Sequence, residues 1–341
     1  TSSEGKIWNP DLTWERAKKM NIGIDLSLWN DRIKLTADYF QEKRDDILAN
    51  RGTIPDIVGA NLPAYNMGKM ENKGFDGEIT FRDHIGPFNY WLRGIFTFAR
   101  NEIKFMDESN KLYAYQKRTG HRLNQYFGYI AEGFYNTWEE VNNNKIQPAD
   151  VKYKDVNGDG IINTYDQVPI GYSDFPEISY GISLGGDIKG FDFSILFQGS
   201  SHVSFRASKK SNRGFQEDGS AVDYLKDYSW TPERYANGDE IKFPHLSANA
   251  SQEHNYQASS LWIRDASYLR LKNVEIGYTF SGKILKKIGL DSARIYVNGT
   301  NLVTWCDLFP GEDPEIPTYN DGNYEPYPIV KTVNMGLNVN F

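Results

Sequence analysis

The stretch Asp155-Val156-Asn157-Gly158-Asp159-Gly160-Ile161-Ile162-Asn163-Thr164-Tyr165-Asp166 places oxygen side chains at loop positions 1, 3, 5, 9 and 12, with glycine at position 6. That is the spacing of a calcium loop. Calcium takes about six to eight hard oxygens in flexible geometry, and Asp155, Asn157, Asp159, Asn163 and Asp166, with the Ile161 carbonyl, are the candidates to supply them. Position 12 is Asp166 rather than glutamate, and no helical pattern flanks the loop, so it reads as closer to a dockerin-like variant than to an EF-hand. The same residues also read as a plain Asx/Gly turn cluster, since these types favour turns without any ion.

Other chemistry-bearing residues are sparse. The histidines His84, His121, His202, His245 and His254 are scattered without ligand-like spacing, and no Ser/His/Asp or Cys/His set stands out, so an enzyme reading has little support. Asp313 and Glu315 are near enough to be a carboxylate pair, yet Pro314 between them reads as an exposed rigid turn. The single cysteine, Cys306, excludes an intrachain disulfide. Aromatics outside the patterned segments, among them Tyr135, Trp138, Trp230, Trp262 and Tyr319, are candidates to stack on sugar rings or pack against peptides. Loop packing is the plainer reading for most of them.

These residues must be positioned by something, and composition narrows what. Of 341 residues, 14% are aromatic and 24% charged, with a net charge of −7, which argues against a nucleic-acid binder. Mean hydropathy is −0.60. No apolar run approaches the ~20 residues of a spanning helix, so a barrel is the remaining way through a bilayer.

Period-two alternation is the dominant signal, in segments of roughly ten residues, the length of a tilted membrane strand. About nine such strands are expected. Ile22, Ile24, Leu26 and Leu28 alternate with Gly23, Asp25 and Ser27 before a reversal at Asn30-Asp31, and Phe75, Gly77, Ile79 and Phe81 alternate with Asp76, Glu78, Thr80 and Arg82. Phe191, Phe193, Ile195 and Phe197 oppose Asp192, Ser194 and Gln198 after a turn at Ile188-Lys189-Gly190. The last strand carries Val333, Met335, Leu337, Val339 and Phe341.

Links are short at Asn30, Asp83, Ile188 and Ser281, and long at Ala49 to Asn72, Phe105 to Glu177, Ala207 to Ser259 and Cys306 to Pro328. Short on one rim and long on the other is the rhythm of an outer-membrane barrel. Trp29, Trp91 and Trp305 near strand ends suit the membrane interface. A soluble β-sandwich also shows alternation, but its strands are usually shorter and lack this rhythm of links. Nine strands cannot close without two open edges, so further strands must come from elsewhere.

The motifs then resemble a known family. Asn9-Pro10-Asp11-Leu12-Thr13-Trp14-Glu15, Asn66-Met67-Gly68-Lys69-Met70-Glu71-Asn72-Lys73-Gly74 and Trp230-Thr231-Pro232-Glu233 are followed by Tyr268-Leu269-Arg270-Leu271-Lys272-Asn273-Val274, Gly277-Tyr278-Thr279-Phe280 and Asn298-Gly299-Thr300-Asn301-Leu302. In this order the set is similar to SusC/RagA-like TonB-dependent transporters of Bacteroidetes-type outer membranes. The resemblance implies an all-β, transmembrane antiparallel β-barrel of about 22 strands with a plugged lumen, of which residues 1–341 would be the C-terminal part. It also implies an N-terminal plug and earlier strands outside this chain, a SusD-like surface lipoprotein as lid, energy input through TonB, and import of a glycan or peptide. The alternatives are a passive porin-like or structural barrel and a soluble carbohydrate-binding β-protein.

Overall fold

The computed structural model describes residues 8–53, 62–141, 145–207, 212–215, 220–248, 253–287, 289–316 and 329–341; Tyr319 lies outside them. Its centre is one nine-stranded sheet: β1 (Arg16–Leu28), β2 (Ile33–Ala49), β3 (Tyr65–Ile85), β4 (Phe88–Phe105), β5 (Ile178–Ile188), β6 (Phe191–Ser201), β7 (Tyr268–Ser281), β8 (Ser292–Cys306) and β9 (Thr332–Asn340). Neighbours in the sequence are neighbours in the sheet, and every pair is antiparallel. The two outermost strands are β1 and β9.

The alternation becomes two unlike faces. On one lie Ile24, Phe75, Phe96, Ile182, Ile276 and Met335, with Ile24 57% and Met335 77% exposed. An apolar surface this continuous on a protein in water marks contact with something else, and here it runs across the sheet from edge to edge. Among the described residues the other sheets are two-stranded pieces in the long links and none pairs with this one, which removes the β-sandwich reading. The other face carries the polar residues expected for it, including Asp76, Glu78, Arg82, Asp192, Gln198 and Arg294. Trp91 belongs to this inner face rather than to the interface belt. It shares the face with Arg82 across the ladder and lies over Gly185, where an added Cβ would come within 2.8 Å of the ring. Trp29 is 72% exposed at the β1–β2 turn, where Trp29, Asn30 and Asp31 all have positive φ, and Trp305 stays half exposed.

Several strands are longer than alternation suggests. The third, expected over Phe75–Arg82, runs 21 residues, so Asn66–Asn72 is strand rather than loop and the expected link at Asp83–Pro87 shrinks to a turn at Gly86-Pro87. At ~3.3 Å per residue such a strand outruns the bilayer. The physical reason is that backbone pairing does not need lipid. Beyond the apolar band the ladder continues with charged pairs such as Lys104–Glu71 at 3.2 Å, where no greasy face is required and the alternation disappears.

The described parts of the long links lie at one rim, and those between β4 and β5, β6 and β7, and β8 and β9 pack on each other. They hold the buried clusters of the described residues: Val203, Phe205, Leu225, Phe243 and Trp262 with Phe309, and separately Tyr129, Val151 and Tyr153. Helices α1 (Asp223–Tyr228) and α2 (Pro232–Asn237) belong to this cap, and α2 starts with the Thr231 hydroxyl accepting from Arg234 N–H at 3.1 Å. On the opposite rim the Lys283–Lys287 run forms one short helix, α3.

Candidate functional site

The inner face and the cap that overhangs it form the candidate site. Across the wall, Arg93 grips Glu78 with two bonds of 2.8 and 2.7 Å. Arg294 bridges Asp192 at 3.0 Å and Glu275 at 2.8 Å, and the ladder continues through Asn298 to Asn334 on the edge strand. These groups are wet, so each pair adds little stability, about 0–1 kcal/mol; their effect is to make a polar inner wall.

Two tighter clusters tie the cap to the long-loop ends of the strands. Glu177, only 3% exposed, accepts Arg100 through both oxygens at 2.7 and 2.8 Å, receives Arg122 as well, and lies 3.1 Å from His202 Nδ1. Burial alone would raise its pKa, but hydrogen bonds from Arg100 and Arg122 outweigh that and hold it at about 2. The second cluster is built on Arg270, which is 1% exposed. Its guanidinium holds Asp313 at 2.8 and 2.9 Å, Glu315 at 2.5 Å and the Thr304 hydroxyl at 2.8 Å. Lys272 and Tyr268 also reach Glu315, at 3.1 and 2.7 Å. The expected exposed turn at Asp313–Glu315 is therefore corrected: Pro314 presents two carboxylates inward, and they clamp the β8–β9 link onto β7. Nothing local distinguishes such a pair from a surface turn, and Arg270 and Asp313 are 43 residues apart.

Between these clusters the cap and the inner wall enclose a recess of about 620 Å³. Ile95, Leu196 and Gln198 come from the wall, Phe175, Phe205 and Glu315 from the cap. A second recess of about 320 Å³ lies on the other side of Phe175, over β2 to β4. Sequence reading missed Phe175, which sits in an irregular link with no periodic signal.

Of the proposed ligand-contacting aromatics, Tyr135 and Trp262 are 8% and 2% exposed, so packing already occupies their faces, and this corrects their assignment. Trp262 donates its Nε1–H to the Asn255 carbonyl at 2.6 Å and belongs to the cap's core. Trp230 is partly buried, donates to Asn136 Oδ1 at 3.2 Å and stacks on Tyr235. Trp138 is 67% exposed. None of the four lines either recess.

In the 155–166 loop, Asp155 accepts N–H groups of Gly158 and Gly160 at 2.7 Å each. Asp166, fully buried, accepts Val156 and Asn163 N–H at 2.9 and 2.8 Å. Asn163 caps the short helical turn Thr164–Asp166 through Tyr165 N–H at 2.8 Å, while Asp159 and Asn157 bond each other. The Gly160 N–H is the largest cause holding the Asp155 pKa below the ordinary carboxylate range, and the Asp166 side chain also touches it. The carboxylates at positions 1 and 12 are thus each engaged by loop N–H groups, and among the described residues no group of three His, Cys, Asp or Glu side chains is spaced to hold an ion.

Residues 2–174 match the family model described as TonB dependent receptor-like, beta-barrel. The chain belongs to that family. The chain is 28% identical over 98% of its length to "TonB-dependent receptor P3" of Formosa agariphila, covering 35% of that protein. It is 27% identical over its whole length to "TonB-dependent receptor SusC" of Bacteroides thetaiotaomicron, covering 33% of it. The solved "RagAB peptide transporter" shares the fold, with a TM-score of 0.74, 21% identity and coverage of 97% of this chain and 36% of that one. The motif resemblance to SusC/RagA-like receptors is borne out, and the chain spans about a third of the length of the curated relatives it matches.

Proposed function

We propose that this chain is the C-terminal wall and loop cap of an outer-membrane importer of the SusC/RagA type in a Bacteroidetes-type bacterium. The observation that carries the reading is the one-sided apolar sheet with a charged inner face beneath a packed cap, the arrangement a wall needs between lipid and a wet passage. In this reading the remaining strands and a plug come from the rest of the transporter and pair with β1 and β9, whose outer edges otherwise face lipid. TonB supplies the energy, a SusD-like lipoprotein covers the cap, and the cargo is a glycan or a peptide. The matching neighbour is named a peptide transporter, which favours the second. The loop at 155–166 takes a calcium ion on the same proposal, supported by its oxygen spacing.

Uptake of labelled cargo by cells carrying the whole transporter, with and without TonB, tests the reading. Loss of uptake without TonB is expected. Uptake that persists unchanged would favour a passive porin-like barrel, and a chain that is monodisperse without detergent would end the membrane reading altogether.

A further inference from the structure

On the outer face of β2 to β4 the apolar band stops at a definite level on the long-link side. Tyr39, Phe75 and Phe98 pair across the ladder as its last rung. The next rung is Gln41, Lys73 and Arg100, and the one above it is Lys43, Glu71 and Glu102. The same rungs continue onto β1, with Met20 opposite Gln41 and Lys18 opposite Lys43. Because side chains alternate along a strand, all of these leave the sheet on the side of Ile22 and Phe75. Further strands of a barrel extend the sheet edge to edge and a plug fills its inside, so neither covers this face.

The carboxylates of this surface are taken and three of its lysines are not. Glu71, across the ladder from Lys43, receives the Gln41 amide at 2.5 Å and lies 3.2 Å from Lys104 Nζ, which also holds Glu102 at 2.8 Å. Arg100 is engaged by Glu177. Lys18, Lys43 and Lys73 are exposed, and among the described residues none of them forms an ion pair. Lys18 and Lys43 moreover stand directly opposite each other, an arrangement that destabilises an antiparallel pair unless something lies between the charges. One rung higher, Arg16 meets Asp45 and pairs with Asp46, and the basic row ends.

We propose that Lys18, Lys43 and Lys73 bind the phosphate of an acylated, phosphorylated lipid of the outer leaflet, whose chains lie on the apolar band below. Lys73 is two residues and Lys43 four residues past the last apolar rung, about 7 and 13 Å along their strands, and less in height because the strands tilt. The long links mark this rim as the outer one. Lysine stems can lie along the band while their ammonium groups stay at headgroup level. A phosphate between Lys18 and Lys43 turns a repulsive pair into a bridged one, and lysine serves a phosphate well as a point charge. Continuity with the band selects the occupant: a soluble anion would use the lysines alone, whereas a lipid uses both. A second copy packed about a twofold axis through the patch would set lysine against lysine. The proposal rests on the outer-membrane reading and is independent of the cargo.

The test titrates the whole transporter in detergent with two probes, phosphorylated lipid A and the same lipid with its phosphates removed, and reads binding by native mass spectrometry. The phosphorylated form should bind about tenfold more tightly or better. Combining Lys18→Gln, Lys43→Gln and Lys73→Gln should bring the two forms within about twofold of each other, with affinity for the dephosphorylated lipid unchanged because the apolar band is intact. Lys286→Gln, on α3 at the opposite rim, should keep the full difference. A wild type that does not distinguish the two lipids, or a triple variant that still does, overturns the proposal. So does displacement of the lipid by inorganic phosphate, which marks a free-anion site, or a Lys43→Cys disulfide between two copies in the membrane, which marks a face covered by protein. The outer-membrane reading is judged separately: a transporter that stays monodisperse without detergent ends both, whereas equal binding of the two lipids by one that needs detergent removes only the headgroup site.

Discussion

The wall and the cap use the same residue types in opposite ways. Ile24 on β1 and Ile276 on β7 leave more than half their surface outside, whereas Trp262 and Phe243 in the cap are 2% and 3% exposed. In the wall each backbone group is satisfied by the ladder, so the side chains are free to meet hydrocarbon on one side and water on the other. The cap has only short pieces of ladder and must be held by a hydrophobic core and by arginine clamps. One part folds because of its solvent and the other because of its packing, and the two should fail differently.

The largest effect is expected in the cap. Trp262→Ala removes a buried ring that touches Phe243, Tyr256 and Phe309, at a cost of about 3–5 kcal/mol. Limited proteolysis should then cut the cap links while the strands stay protected; digestion of both together would break the distinction. In the wall, Ile276→Arg places a charge in the apolar band and should cost about 2–4 kcal/mol near mid-bilayer. The readout is urea unfolding of the whole transporter in vesicles. Asn273→Arg, three residues away on the inner face, should change far less.

The third test concerns the clamp between the two regions. Glu177 sits at about 2 in the folded protein, below its ordinary 4.5. A depressed carboxylate stabilises at pH above its unfolded value, and that contribution is lost as pH falls from about 4.5 toward about 2. Tryptophan fluorescence of the cap should shift through that window in the wild type and much less in Glu177→Gln. A transition at neutral pH would mean that another group controls the cap. The smallest effect is at the 155–166 loop. Asp155→Ala with Asp159→Ala should raise protease sensitivity within the β4–β5 link, and chelator should do the same to the wild type if calcium is bound; digestion indifferent to chelator would remove the ion and leave a self-bonded turn.

The wall was legible in the residues because lipid imposes a simple rule, one face apolar and the next polar, and each strand carries that rule alone. Ile22 to Leu28, Phe75 to Phe81 and Phe191 to Phe197 needed no knowledge of their neighbours. Where the rule lapses, legibility lapses with it. The upper halves of β2 to β4 are strand by backbone pairing and show no alternation, so Asn66–Asn72 read as loop.

The cap could not be read this way. Trp262 looked available for ligand and is core, and Asp313 and Glu315 looked like a surface turn and are a buried clamp on Arg270. Their partners lie tens of residues away in chains of irregular backbone, and only tertiary contact decides which charges pair and which rings are covered. The order of residues alone thus settled which strands exist, which faces meet lipid and the family they belong to. The folded chain decided where the cap closes and which charges and rings it buries, because burial and ion pairing at long range are properties of the assembled wall and cap and not of any one segment.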